Sequence, residues 1–102
     1  LFERYARTGA RVVLECAAPG VYGEQRTRNW RSGYDWWRGE CARQLGRYAS
    51  EFGLWIGVAT QAGRSGDEDF PGGGYLFGPD GELHATTADW REQVLYAQLA
   101  VH

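Results

Sequence analysis

The chain has 102 residues, with 13 acidic and 11 basic side chains and a formal net charge of -2. This length favours a single domain spanning residues 1–102, and a hydrophobic content of 43% excludes an intrinsically disordered chain. The longest strongly apolar stretch, residues 54–59, is far shorter than the roughly 18 residues of a membrane-spanning helix, so no membrane association is expected.

Three residue types are absent or scarce. Methionine is missing, so Leu1 is not an initiator and we expect the chain to begin inside a longer polypeptide. Lysine is missing too, so any chemistry that needs a lysine amine must come from elsewhere. The two cysteines, Cys16 and Cys41, are too few for a disulfide framework, so we expect reduced thiols and a cytoplasmic protein.

The first third of the chain predicts a helix, a strand and an irregular segment. Residues 3–8 are typical of the last turns of a helix that Gly9 closes. Residues 12–14 are β-branched or apolar and predict a short buried strand. Residues 17–33 contain several glycines and a proline, which indicate irregular structure.

A long helix is predicted from Tyr34 or Asp35 to residue 52, with Ser32 or Asp35 as its cap and Gly53 at its end. Residues 54–60 then predict a strand covered on both faces. The apolar residues of the helix recur every three or four positions and predict one buried face: Trp37, Cys41, Leu45, Tyr48 and Phe52.

The last third predicts a loop, a hairpin and a strand. Residues 63–74 are polar and rich in glycine, so we expect a loop whose acidic run, residues 67–69, is solvated. The sequence Pro79-Asp80-Gly81-Glu82 predicts a turn that joins strands at residues 74–78 and 83–87. Residues 94–101 predict a final strand, and the order of elements indicates an α/β layered domain.

Neither cysteine is a strong catalytic candidate from local sequence alone. Cys16 ends a predicted strand, but His84 and His102 have no spacing that would pair either of them with a thiol, which favours a small buried side chain. Cys41 lies on the buried helix face and is expected to pack. The spacing of cysteines and histidines is wrong for zinc, and the acidic run lacks the ligand spacing of a calcium loop.

The segment from residue 26 to residue 38 combines four arginines with three tryptophans. Such a pattern can bind single-stranded nucleic acid, but the acidic chain disfavours that partner. We interpret the segment as the approach to the long helix, with Trp37 in the core. Its arginines are then available to a carboxylate of a substrate or of a neighbouring subunit.

A resemblance runs along nearly the whole chain. The sequence Phe70-Pro71-Gly72-Gly73-Gly74-Tyr75-Leu76-Phe77-Gly78-Pro79-Asp80-Gly81-Glu82 resembles the C-terminal signature of the nitrilase, or carbon–nitrogen hydrolase, superfamily. Residues 38–63 resemble the family's helix, glycine and strand, and residues 5–14 resemble its unit of helix, Gly-Ala and apolar strand. Residues 93–99 resemble its closing strand.

The resemblance implies about half of an α-β-β-α sandwich, from a hydrolase of amide, nitrile or carbamoyl substrates. Family members use a glutamate, a lysine and a nucleophilic cysteine, which the alignment places before Leu1, so no catalytic residue is expected here and Cys16 does not inherit the role. No metal or organic cofactor is implied, and a homo-oligomer is expected.

The substrate-binding candidates are Thr60 and Gln61, where the family often has an asparagine-containing pair, together with Trp30; residues 18–22 are lesser candidates. Packing at a strand end remains an alternative for each of them. The alternative for the chain as a whole is a non-catalytic interaction or oligomerisation module.

Overall fold

A computed structural model describes residues 1–20 and 29–101. This part of the chain forms two helices, α1 (Phe2–Arg7) and α2 (Trp30–Phe52). It also forms the strands β1 (Val12–Ala17), β2 (Trp55–Thr60), β3 (Ala62–Ser65), β4 (Glu68–Pro71), β5 (Gly74–Phe77) and β6 (Leu83–Thr86). The predicted α/β class is confirmed, while residues 21–28 of the segment predicted to be irregular lie outside the described residues.

Four strands form the main sheet in the order β1-β2-β5-β6. β1 and β2 run parallel, and the pairs β2–β5 and β5–β6 are antiparallel. The register places Ile56 beside Phe77 and Val58 beside Tyr75, and all four of these side chains are buried on the face that α2 covers. Leu14 points to the opposite face and is 78% exposed. We call this second side of the main sheet the open face.

Helix α2 begins earlier than the sequence predicts. The Asn29 side chain accepts a hydrogen bond from the Ser32 backbone N–H at 3.0 Å, so Asn29 is the cap and the predicted start near Tyr34 or Asp35 is wrong. The prediction treated Gly33 as a residue that breaks helices, but Gly33 is buried within α2. The predicted end is correct, because Gly53 adopts φ 64 and closes the helix.

The predicted buried face of α2 is confirmed. Cys41 is only 3% exposed, and Trp37, Leu45, Tyr48 and Phe52 are half-buried against the core. The other buried residues of α2 are three small residues and one tyrosine. They are Gly33, Tyr34, Gly46 and Ala49, all buried.

Strands β3 and β4 form a hairpin over residues 62–71, so the loop predicted at residues 63–74 is wrong for most of that range. β3 and β4 pair antiparallel, with Arg64 opposite Asp69, and Gly66 has φ 61 in the connecting turn. A glycine followed by an aspartate between two short strand-like segments is a known signal for a hairpin. The polar residues on both sides of it favoured a loop instead. The hairpin predicted at the turn of residues 79–82 is confirmed as β5 and β6.

Residues 94–101 form no strand, so the predicted closing strand is wrong in the described structure. A strand requires a neighbouring strand for its hydrogen bonds, and no described strand pairs with this segment. The segment instead runs beside the open face, and we call residues 94–101 the C-terminal strap. It is attached near its end, where the Trp55 indole N–H donates to the Ala100 carbonyl at 3.3 Å.

Candidate functional site

A cleft of about 830 Å³ lies between the open face and the C-terminal strap. Its size falls in the range of small-molecule sites, although one side is open. The cleft has an apolar floor from the sheet, an apolar wall from the strap and a polar end. The floor includes Leu14, Gly57, Ala59 and Leu76, the wall includes Leu95, Ala97 and Leu99, and the polar end includes Cys16, Thr60, Gln61 and Arg91.

Glycines in the main sheet leave room for neighbouring side chains on the floor of the cleft. A Cβ on Gly57 would lie 2.9 Å from Leu14 Cδ2, so the leucine side chain rests directly on the glycine. A Cβ on Gly74 would lie 3.3 Å from Thr87 Cγ2 and 3.7 Å from Leu95 Cδ2. The strap and the sheet therefore come into contact at Gly74, which has no side chain.

The structure brings Thr60 and Gln61 to the polar end of the cleft, and their role in substrate binding stays a prediction. They stand at the carboxyl ends of the parallel strands β1 and β2, an edge where α/β proteins commonly bind ligands. The Gln61 backbone N–H donates to the Ala17 carbonyl at 2.9 Å, and the Thr60 backbone N–H donates to the Gly73 carbonyl at 3.0 Å. Both positions are therefore held by backbone hydrogen bonds.

The Thr60 side chain is fixed by the helix layer. The Trp37 indole N–H donates to Thr60 Oγ1 at 2.8 Å, which links α2 to the end of β2. The hydroxyl proton of Thr60 is then free to be donated elsewhere. Gln61 is exposed, and its side chain makes no hydrogen bond to any residue that the structure describes.

Trp30 takes a different position from the other two candidates. It is the first residue of α2 and is half-buried, and it does not line the cleft. The structure thus separates Trp30 from Thr60 and Gln61, and its role in binding stays a prediction.

Cys16 is exposed and lines the cleft, so the expectation of a buried packing residue is wrong. Its side chain points to the open face, which the sequence could not reveal because that face lacks a covering layer. Within the described ranges, the thiol has no hydrogen bond or ion pair that would activate it. Cys41 packs as expected, and burial, followed by the charges of Glu15 and Glu40, raises the pKa of its thiol to about 12.

Arg91 is the cationic group at the polar end of the cleft, and sequence reasoning missed it. Its guanidinium pairs with Asp89, whose carboxylate also accepts the Arg91 backbone N–H at 2.9 Å. These contacts, the backbone hydrogen bond first, lower the pKa of Asp89. The Gln93 side chain accepts the Ala88 backbone N–H at 3.2 Å, so the turn before the strap is tied down.

Two other sequence candidates lie away from the cleft. Asp69 is buried and lies 3.7 Å from the Arg64 guanidinium, so the acidic run is not wholly solvated as expected. No group of three His, Cys, Asp or Glu side chains suited to a metal occurs in residues 1–20 and 29–101. Arg31, from the arginine-rich segment, lies 4.8 Å from the centre of the Trp90 ring and 3.9 Å from Asp35. Residues 26–28 of that segment lie outside the described residues.

Comparison with known proteins gives the fold. An amidase of the nitrilase superfamily from Nesterenkonia AN1 superposes with a TM-score of 0.70 at 22% identity, over 92% of this chain and 30% of the amidase. A carbon–nitrogen hydrolase from Helicobacter pylori G27 gives a TM-score of 0.69 at 20% identity, over 93% and 35%. The chain has the fold of part of a carbon–nitrogen hydrolase. A glutamine-dependent NAD+ synthetase from Acinetobacter baumannii matches with a TM-score of 0.65 at 17% identity, over 92% of this chain and 15% of the synthetase.

The likeness to carbon–nitrogen hydrolases is one of structure. No protein-family model matches the sequence, and no curated protein matches it. The chain spans 15 to 35% of the length of these solved structures, so the activity of the whole protein is a separate question. In its described part, the chain has no helix with the length and apolar character needed to cross a bilayer.

Proposed function

We propose that the chain is the C-terminal portion of a hydrolase that acts on non-peptide carbon–nitrogen bonds of amide, nitrile or carbamoyl substrates. The main support is that over nine tenths of the chain superposes on less than a third of a nitrilase-superfamily amidase. A mutant of that amidase has also been solved with the acetamide moiety of fluoroacetamide added covalently at the active site cysteine.

In this proposal the attacking cysteine lies on polypeptide upstream of Leu1. Two observations support that placement. Cys41 is 3% exposed with a pKa near 12, so it is protonated and inaccessible at neutral pH. Cys16 is accessible but lacks a base among the described residues, and an unassisted thiol is a poor catalyst. The lysine that the proposed chemistry also requires is absent from the sequence.

The chain would contribute one wall of the substrate site. Gln61 offers an amide that can both donate and accept hydrogen bonds, and Thr60 offers a hydroxyl held by Trp37. A carboxamide group also has one donor and one acceptor side, so it matches a glutamine amide. We therefore assign Thr60 and Gln61 to substrate binding and no catalytic step to this chain.

The first experiment locates the nucleophile. A protein expressed from the reading frame extended upstream of Leu1 would be treated with fluoroacetamide and mapped by peptide mass spectrometry. We expect an adduct on a cysteine outside the 102 residues, and the same adduct in Cys16→Ser and Cys41→Ser variants. An adduct on Cys16, or turnover by the 102-residue chain that Cys16→Ser abolishes, would contradict the proposal.

The second experiment tests the binding wall in the same longer protein. Gln61→Ala is expected to raise KM for the amide by about tenfold, since the loss of one hydrogen bond to a substrate costs roughly 1 kcal/mol or slightly more. Gln44→Ala is the matched control, because Gln44 is an exposed glutamine on α2. Equal KM values for the two variants would show that Gln61 does not bind the substrate.

A further inference from the structure

We propose that Arg91 is a specificity-determining residue that selects amide substrates with a carboxylate at the end opposite the amide. The inference rests on the proposed function, because it takes the polar end of the cleft as the place where the amide binds. It goes further by naming a class of substrate and the side chain that recognises it. The support comes from the hydrogen-bond donors of the guanidinium, from the contacts that hold it and from its place beside Gln61.

The guanidinium of Arg91 keeps one edge available for a ligand. Its Nη1 lies 2.5 Å from Asp89 Oδ2, and within the described residues this is the ion pair that the side chain forms. The Nε–H and one N–H of Nη2 form the other edge, and neither donates to a described residue. These two N–H groups are parallel, so they match the two oxygens of a carboxylate. The Arg91 side chain is 70% exposed, so a ligand in the cleft can reach it.

Neighbouring side chains hold the guanidinium in position. The centre of the Trp90 ring lies 5.0 Å from the guanidinium carbon of Arg91 and 4.8 Å from that of Arg31, within cation–π distance of both. Asp89 also accepts hydrogen bonds from the Arg91 backbone N–H at 2.9 Å and from the Gln93 amide at 3.3 Å. Because these contacts order the guanidinium before a ligand binds, less conformational entropy is lost on binding.

The site recognises direction rather than an excess of positive charge. Asp89 balances the charge of Arg91, and Asp35 lies 3.9 Å from Arg31. Glu92 also lines the cleft, although it forms no ion pair within the described residues. Recognition therefore depends on the parallel pair of donors, whose hydrogen bonds are stronger to an ionised acceptor than to a neutral one. This favours a carboxylate on a substrate that is already held by its amide over a free anion.

Arg91 lies at the same end of the cleft as Gln61. The Gly72 backbone N–H donates to the Gln61 carbonyl at 2.9 Å, and a Cβ on Gly72 would lie 2.2 Å from the Trp90 carbonyl oxygen. The strand end that carries Gln61 and the turn that carries Arg91 therefore contact the same glycine. Both residues line the cleft, so a short ligand that binds Gln61 through its amide has Arg91 as the neighbour of its second polar group.

The test uses the protein expressed from the reading frame extended upstream of Leu1. The substrates are the monoamides from succinamate to adipamate, and each is compared with the neutral diamide of the same length. We expect kcat/KM, measured by ammonia release, to be about tenfold higher for the best monoamide than for its diamide. Arg91→Gln is expected to remove most of this preference. Arg91→Lys should remove less of it, because lysine keeps the charge but lacks the parallel donors.

Arg43→Gln is the matched control. Arg43 is an exposed arginine of α2 whose guanidinium also lies 2.5 Å from a neighbouring carboxylate, that of Glu40, and it does not line the cleft. The preference for the monoamide is expected to be the same in this variant as in the unmodified protein. Because the preference compares two substrates of one protein, partial unfolding of a variant does not change it.

The possible results separate this inference from the proposed function. If the protein hydrolyses amides but prefers no monoamide to its diamide, the role of Arg91 is wrong and the hydrolase function is unaffected. If Arg43→Gln reduces the preference as much as Arg91→Gln does, overall charge selects the substrate and Arg91 does not. If no amide is hydrolysed, the proposed function is contradicted, and isothermal titration calorimetry of the same ligand pairs decides the role of Arg91. Tighter binding of a monoamide that Arg91→Gln abolishes would support that role, and equal binding of both ligands would overturn it.

Discussion

Gly46 in the middle of α2 and Gly81 in the β5–β6 turn touch backbone to backbone. A Cβ on Gly46 would lie 2.9 Å from the Gly81 carbonyl oxygen, and a Cβ on Gly81 would lie 3.2 Å from the Gly46 carbonyl oxygen. Gly81 also has φ 82, which the turn requires. The absence of both side chains allows the helix to lie directly on the turn.

The contact predicts opposite effects for two glycine substitutions in one helix. Gly46→Ala forces a methyl group against a carbonyl oxygen and should lower the free energy of unfolding by about 1 to 3 kcal/mol. Gly39→Ala should raise it by up to about 1 kcal/mol, because no atom of the described residues lies within 4 Å of the added carbon and alanine favours the helix. Urea unfolding of both variants checks the prediction, and a gain in stability for Gly46→Ala would contradict the close contact.

The hydrogen bond from Trp37 to Thr60 predicts a coupled pair. Thr60→Val keeps the shape of the side chain but leaves the indole N–H without its acceptor, which should cost about 1 to 2 kcal/mol. Trp37→Phe should cost more, because packing is lost as well. In a double-mutant cycle the two changes should be non-additive by about 1 kcal/mol, and full additivity would mean that the bond does not stabilise the fold.

Local signals account for the parts of the fold that the sequence predicted. Gly53 ends α2, and the turn Pro79-Asp80-Gly81-Glu82 joins two strands, because glycine and proline act on their own backbone. The predicted start of α2 was wrong because Gly33 is buried inside the helix, whereas a glycine in a sequence usually indicates a break. The prediction of a strand at residues 94–101 was wrong because a strand forms only beside a neighbouring strand. No residue within the segment specifies such a neighbour.

Some residues of the candidate site were also predicted from the sequence, and others were not. The apolar run before Thr60 marks a strand end, and the family resemblance singles out Thr60 and Gln61 there as candidates for substrate binding. The exposure of Cys16 could not be predicted, since alternation assigns it to a face but not to what covers that face. Arg91 enters the cleft through the turn that Asp89 and Gln93 hold, an arrangement with no periodic signal.

We expect removal of the hydroxyl group to change the stability of the fold differently at two buried tyrosines. The Tyr34 hydroxyl donates to the Thr87 carbonyl at 3.0 Å, so Tyr34→Phe should cost about 1 kcal/mol. The Tyr75 hydroxyl is buried, and no described residue forms a hydrogen bond of standard geometry with it. Burial, and then Tyr34, raises the pKa of Tyr75.

Tyr75→Phe should therefore be neutral or stabilising by up to about 1 kcal/mol, since it removes an unpaired buried polar group. Thermal unfolding of the two variants side by side gives the comparison. If Tyr75→Phe lowers the stability as much as Tyr34→Phe does, the Tyr75 hydroxyl has a hydrogen-bond partner in solution.

The two cysteines should differ in reactivity. Cys16 is exposed, whereas Cys41 is 3% exposed and holds its proton. In the folded chain at neutral pH, a thiol reagent should label one site, and Cys16→Ser should abolish that labelling. In denaturant both thiols should react. Labelling of Cys41 in the folded state at a rate similar to that of Cys16 would contradict its burial.

The raised pKa of Cys41 also predicts a loss of stability at alkaline pH. Its folded pKa of about 12 lies above the ordinary value of 9.0, so between these values the unfolded chain releases a proton that the folded chain retains. The contribution of Cys41 to stability is fully present below pH 9 and is lost as the pH rises towards 12. In urea unfolding at several alkaline pH values, Cys41→Ala should show a weaker decline than the unmodified chain. Equal slopes for Cys41→Ala and the unmodified chain would show that Cys41 ionises alike in the folded and unfolded states.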